Sequence, residues 1–148
     1  MNFRSALILT AALVLLTGVG ADAQKPADMS ANVERSTPAY ATLLLSKTEL
    51  QSDLDSLLVD YTEDYPKVKE IRVELGFLNT EIGRVLAVKP ADAGRLTEAL
   101  GKLMLRKVEL ETDLDRLRSQ YKDEHPDVRK ARKKVDAFEA AIKEILGQ

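Results

Sequence analysis

Hydrophobic residues recur in alternating steps of three and four along two stretches of the chain, each interrupted by a proline. Leu43, Leu50, Leu54, Leu57 and Tyr61 mark the first half of one stretch, with Lys47 in the same stripe. Val68, Ile71, Leu75, Leu78, Ile82 and Val85 mark its second half. The second stretch runs Leu103, Lys107, Leu110, Leu114, Leu117, Tyr121, then Val128, Ala131, Val135, Phe138, Ile142, Ile145. Such spacing lines one face of an α-helix and matches the inward positions of a coiled-coil seam. A lysine within the stripe is expected to snorkel, burying its stem and holding its charge in water.

The two stretches are copies. Residues 43–86 align with 103–146 at a constant offset of 60, without a gap and with 15 identities in 44 positions. One ungapped register over that length implies tandem duplication. The copies differ at Leu58, Val59, Ile71 and Phe77, which face Arg118, Ser119, Ala131 and Ala137 in the alignment. Copy one thus carries extra apolar surface, available to copy two or to another protein.

Pro66 and Pro126 decide the shape of each copy. A proline within a helix loses a hydrogen bond and clashes with the preceding turn, at a cost of ~3 kcal/mol or more. It also pushes the residue before it out of helical geometry. The simplest structure ends one helix near residue 63 or 123, reverses, and restarts with proline in the first turn. Tyr61, Pro66, Tyr121, His125 and Pro126 are then the turn residues, and the arms are ~30–40 Å long. A single kinked helix would also preserve the heptad phase, but it would leave long apolar stripes uncovered in a monomer. The expectation is an all-α protein of two tandem antiparallel helical hairpins, free to pack together as a four-helix bundle.

Local signals set the boundaries. Thr37-Pro38 is an N-cap followed by proline at the first helical position. Residues 37–86 form repeat 1 and 95–148 repeat 2. The Pro- and Gly-containing segment 87–94 lacks the stripe and links them. Residues 24–36 show no periodicity and read as a flexible leader. Before them, Arg4, an apolar run from Ser5 to Val19 and the small-x-small sequence Ala21-Asp22-Ala23 form a secretory signal peptide, cleaved after Ala23. The run is shorter than the ~20 residues of a spanning helix, so no membrane span is expected in the mature chain. The protein is expected in the periplasm or secreted.

Composition narrows the chemistry. The 148 residues hold 22 basic and 24 acidic side chains, a formal net charge of −2, and no Cys. Disulfides, thiolate zinc sites and cysteine nucleophiles are excluded. An exported chain without a glycine-rich phosphate loop is a poor nucleotide enzyme. His125 is the sole histidine; with Asp123, Glu124 and Asp127 beside it a metal site is conceivable, but one His with unpositioned acids is a weak zinc signal. Glu49, Asp53 and Asp55, repeated as Glu109, Asp113 and Asp115, lack the pocket and partners of catalytic carboxylates and fit a solvated helix flank. No catalytic residue, cofactor or metal is expected. The basic run Arg129, Lys130, Arg132, Lys133 and Lys134 is a solvated face or a site for an anionic polysaccharide or envelope component. Export and the absence of interleaved aromatics argue against nucleic acid.

The turn segments carry a resemblance. Leu57, Tyr61, the acids Glu63-Asp64, Pro66 and Val68, and in the second copy Leu117, Tyr121, Asp123-Glu124, His125-Pro126 and Val128, resemble the periplasmic coiled-coil region of polysaccharide chain-length determinants and exopolysaccharide co-polymerases. Copy one departs in having Tyr65 for the histidine. The membrane helices, the α/β domain and the kinase of those families have no counterpart. The resemblance implies a helical envelope module, with no catalytic residues to carry over. Together these readings lead us to expect a non-enzymatic scaffold or adaptor. It would engage a protein partner or a second copy of itself through Leu58, Val59, Phe77 and the basic face. The alternative is a chaperone-like protein that holds unfolded clients.

Overall fold

The structure, a computed structural model, describes residues 33–148. The signal peptide and residues 24–32 of the leader lie outside the described residues. Residues 33–35 are helical, and Glu34 is buried. Thr37 then opens α1 (Pro38–Asp60), its side chain accepting from the Tyr40 N–H, with Pro38 in the first turn. Helix α2 is Pro66–Leu86, α3 is Glu98–Gln120 and α4 is Pro126–Leu146. Thr97 caps α3 as Thr37 caps α1, accepting from the Leu100 N–H. The linker contains a short 3-10 helix, Pro90–Arg95, which packs against α4. Among the described residues there is no strand.

The proline turns are near-identical in both copies. Tyr61 and Tyr121 leave the helix in extended geometry, with φ/ψ of −123°/155° and −133°/152°. Tyr65 and His125 precede proline at −60°/131° and −59°/138°, the extended region that proline imposes on its predecessor. The N–H groups of Tyr65 and His125 close the turns on the Thr62 and Lys122 carbonyls, each at 3.0 Å. The chain reverses there, so Leu54 of α1 packs on Val68, Ile71 and Leu75 of α2. Of the two shapes the stripes allowed, the protein takes the hairpin.

The hairpins are stacked rather than arranged as a square four-helix bundle. Helix α3 packs against α4 and also against both α1 and α2, lying over the furrow between them. Helices α1 and α3 start side by side and run parallel: the Ala39 N–H donates to the Leu96 carbonyl at 3.1 Å. The main core draws Ala39 and Leu43 from α1, Leu78 and Val85 from α2, Leu100, Met104 and Val108 from α3, and Ile142 and Leu146 from α4. Each fully buried Val, Leu or Met contributes about 1.5–3 kcal/mol. The hairpin seam is therefore only one of two apolar faces that α3 buries. On α1 the corresponding second face stays open, with Leu44 43% and Leu45 62% exposed.

Gly101 permits the close approach of the hairpins. A Cβ there would lie 2.9 Å from the Thr42 Cβ and 3.1 Å from the Ala39 Cα. Gly76 and Gly83 in α2 have no such neighbour, and a Cβ on either would meet open space. Alanine at either position should stabilise the protein by about 0.5–1 kcal/mol through helix propensity alone. A rise in the urea midpoint without a change in slope would verify this.

Candidate interaction surfaces

At the turns the sequence places an aromatic on each side of the reversal, and the rings stack. The centroids of Tyr61 and Tyr65 are 4.1 Å apart, and those of Tyr121 and His125 are 4.2 Å apart. His125 Nδ1 accepts from the Asp127 N–H at 3.3 Å, so the histidine caps α4. Of the acids near it, Asp123 accepts from Arg118 at 3.1 Å and pairs with Arg132 at 2.8 Å, while Asp127 lies 3.8 Å from His125 Nδ1 and 3.6 Å from Lys130. Among the described residues no group of three potential ligands forms a metal site. In copy one, a hydrogen bond from Lys69 holds the Asp64 carboxyl below the usual carboxylate range.

A charged cluster lies between the hairpins. Lys107, expected to snorkel, is instead buried; its Nζ donates to Glu81 at 2.7 Å and pairs with Glu139 at 3.0 Å and Glu111 at 3.3 Å. Arg84 reaches Glu139 at 2.9 Å and lies 3.9 Å from Glu81. The cluster joins α2, α3 and α4 and ties one repeat to the other. Burial opposes the ammonium of Lys107, but the hydrogen bonds to Glu81 and Glu139 outweigh it and hold its pKa above the ordinary lysine value.

The surrounding carboxylates give stability a signed pH dependence. Burial raises the Glu74 carboxyl above its ordinary 4.5; Lys67 opposes this, and Glu70, Glu109 and Asp113 add to it. Burial likewise raises Glu111 against the pull of Lys107. Burial also works upward on Glu139, but hydrogen bonds from Lys107 and Arg84 outweigh it and lower its pKa. For Glu74 and Glu111 the native state takes up protons before the unfolded chain does. Stability should therefore rise as pH falls through the range just above 4.5. Glu139 contributes stability that is lost once the pH drops below that value. The expected stability maximum is mildly acidic, measurable as urea midpoints from about pH 7 to pH 3, and Glu74→Gln should flatten the rise on its approach.

The predicted surface residues separate into exposed and packed groups. Val59 is 81% exposed, and Arg129, Lys130, Lys133 and Lys134 are exposed along α4. Leu58 is half-buried against the core of the first hairpin, and Phe77 is half-buried against the main core. Arg132 is half-buried and engaged with Asp123 at the turn. Glu49, Asp53, Asp55, Glu109, Asp113 and Asp115 are all exposed, as a solvated flank requires. The apolar pattern of the hairpin seam gave no notice of Leu44 and Leu45. Only the fold shows that their counterparts Met104 and Leu105 are covered, Met104 fully and Leu105 in part.

Among the open hollows of the surface, three lie on α1, between α2 and α3, and on α4. One, of about 400 Å³, lies on α1 over Leu44, Lys47, Thr48, Gln51, Ser52 and Asp55. A second, of about 460 Å³, is the groove where Pro66, Lys69, Glu70 and Val73 of α2 meet the end of α3. A third, of about 200 Å³, lies on α4 over Pro126, Arg129, Lys130 and Lys133. No described helix is long and apolar enough to cross a membrane. No family model matches the chain, and neither does any curated protein or solved structure.

Proposed function

We propose that this protein is an exported, non-enzymatic helical scaffold that works by surface contact with a protein partner or a further copy of itself. The observation that carries the reading is the outer face of α1. Leu44, Leu45 and Val59 are exposed there, in a fold whose other apolar stripes are covered. Apolar side chains aligned on one rigid helix offer a contact surface at little entropic cost. The stacked hairpins supply the rigidity, and the charged flanks supply solubility.

Immobilised protein should retain a specific partner from envelope extract, or should self-associate in analytical ultracentrifugation. Leu45→Asp combined with Val59→Asp should abolish whichever occurs. A strict monomer that retains nothing would overturn the proposal. Export belongs to the same reading and is tested by cell fractionation and by an N-terminal sequence beginning at Gln24. An exposed apolar face on α1 together with the basic side chains of α4 also suits a holdase for unfolded chains. Suppression of client aggregation by the purified protein would favour that alternative. The turn motif connects the scaffold to polysaccharide export, and binding to an acidic polysaccharide that Lys133→Ala weakens would support the link.

A further inference from the structure

The joint between the two hairpins has two halves, and each half recurs uncovered elsewhere on the molecule. On α3 the docking face is Leu100, Gly101, Met104, Leu105, Val108 and Thr112, all buried or half-buried. Sixty residues earlier α1 has Tyr40, Ala41, Leu44, Leu45, Thr48 and Ser52, all of them exposed except the half-buried Tyr40. The receiving half shows the same relation. Pro66, Lys69, Glu70 and Val73 form the α2 wall of the groove against α3, and their counterparts Pro126, Arg129, Lys130 and Lys133 line the open hollow on α4.

From this geometry we propose, resting on the scaffold reading above, that the protein self-associates head to tail. The open α1 face of one copy seats on the outer face of the second hairpin of the next, in the arrangement that α3 adopts on the first hairpin. The partner is a second copy of this chain, and the joint is heterologous, so a chain of copies can grow.

Along the flank of the joint, around Glu74 and Glu70, charge favours contact between copies more than it favours the internal contact, while the buried cluster around Glu81 is particular to the internal joint. Inside the molecule Glu74 of α2 lies near Glu109 and Asp113 of α3, like charges that oppose its ionisation. At the equivalent positions between copies, Lys134 meets Glu49 and Asp53. Lys130 and Lys133 replace Glu70 and Val73 opposite Asp55, the counterpart of Asp115. The buried Lys107 has its counterpart in Lys47, which makes no ion pair among the described residues. Its carboxylate Glu81 becomes Ala141, but Glu144 one turn further along α4 is exposed and free of a described ion pair. Val59, the most exposed large apolar side chain among the described residues, falls at the place of Ser119, in the groove wall beside Pro126. A difference in packing adds to the loss of Glu81 and also acts the other way. Ala41 stands where Gly101 permits the closest approach, so the joint between copies sits wider at that end and is weaker than the internal one.

Sedimentation velocity of the full processed chain from about 10 μM to about 1 mM should show a sedimentation coefficient that rises with concentration and falls with added salt. Leu45→Asp with Val59→Asp blocks one half of the joint; Lys130→Glu with Lys134→Glu blocks the other. Each should weaken association by about tenfold or more while leaving the helical circular dichroism intact. Mixing the two blocked variants should yield dimers and nothing larger, because one intact half remains on each. Asp55→Lys should restore binding to the Lys130→Glu variant. If the α1 substitutions alone abolish a dimer and the mixed variants do not pair, the contact is symmetric and the head-to-tail joint is wrong. A monomer at every concentration that still retains another protein would remove this joint and leave the scaffold standing. A monomer that retains nothing would remove both.

Discussion

Lys107→Met should lower the unfolding free energy by about 3–5 kcal/mol, a loss as large as that of deleting a core side chain. The side chain of Glu81 is 2% exposed, and Lys107 is its hydrogen-bond donor at 2.7 Å. With the ammonium gone, the closest remaining cation is Arg84 at 3.9 Å, already engaged with Glu139. A buried carboxylate would then face two others across the gap between the repeats. Most of the cost comes from stranding that charge and little from the attraction lost. The double variant Lys107→Met with Glu81→Leu should therefore recover most of the stability, since a paired apolar replacement strands nothing. Lys47→Met, at the corresponding place in copy one, should shift stability by under about 0.5 kcal/mol. Chemical denaturation of the wild type, Lys107→Met, Glu81→Leu and the double variant closes the cycle, with Lys47→Met as the control. A Lys107→Met protein as stable as the wild type would mean that the cluster does not join the hairpins.

Gly101→Leu should cost about 2–3 kcal/mol and loosen one hairpin from the other. Its first side-chain atom already falls 2.9 Å from Thr42 and 3.1 Å from the Ala39 backbone, and backbone cannot step aside as a flexible side chain can. Gly101→Ala separates the two forces at work. Helix propensity favours the change by about 0.8–1 kcal/mol, while overpacking opposes it by about 1–3 kcal/mol. A net loss is expected here, against the net gain at Gly76 and Gly83. Faster limited proteolysis of the linker around Pro90–Arg95 in the leucine variant would show that the hairpins part before they unfold.

The hairpins themselves were legible because their causes are local. A 3-4 stripe, a capping threonine and a proline act within a few residues of where they stand, and duplication stated each signal twice. Stacking of the hairpins was not legible, because it depends on residues distant in sequence. Lys107 read as a snorkelling lysine since nothing nearby revealed Glu81, 26 residues away on another helix. Gly101 has a propensity cost in any helix, and its reason appears only when Ala39 and Thr42 lie against it. The comparison between copies did contain a hint. Position 101 is glycine where copy one has alanine, and position 81 is glutamate where copy two has alanine. Those are the places where copies must diverge if one repeat is to lie on the other. Of the predicted surface, the lysines of α4 and Val59 were readable from polarity and from the mismatch between copies. Leu58 and Phe77 were drawn into packing because apolar groups beside a furrow find cover.

Parallel α1 and α3 give the molecule a polarity. Both reversals, with their stacked Tyr61–Tyr65 and Tyr121–His125 rings, lie at one end, while the linker and the last turn of α4 beside Arg95 lie at the other, about 35 Å away along a helix of 23 residues. Copies joined in register would form a comb-like ribbon, with aromatic tips along one margin and the linkers and last turns of α4 along the opposite margin. A label fused after Gln148 would decorate one margin only, leaving the tips free along the other.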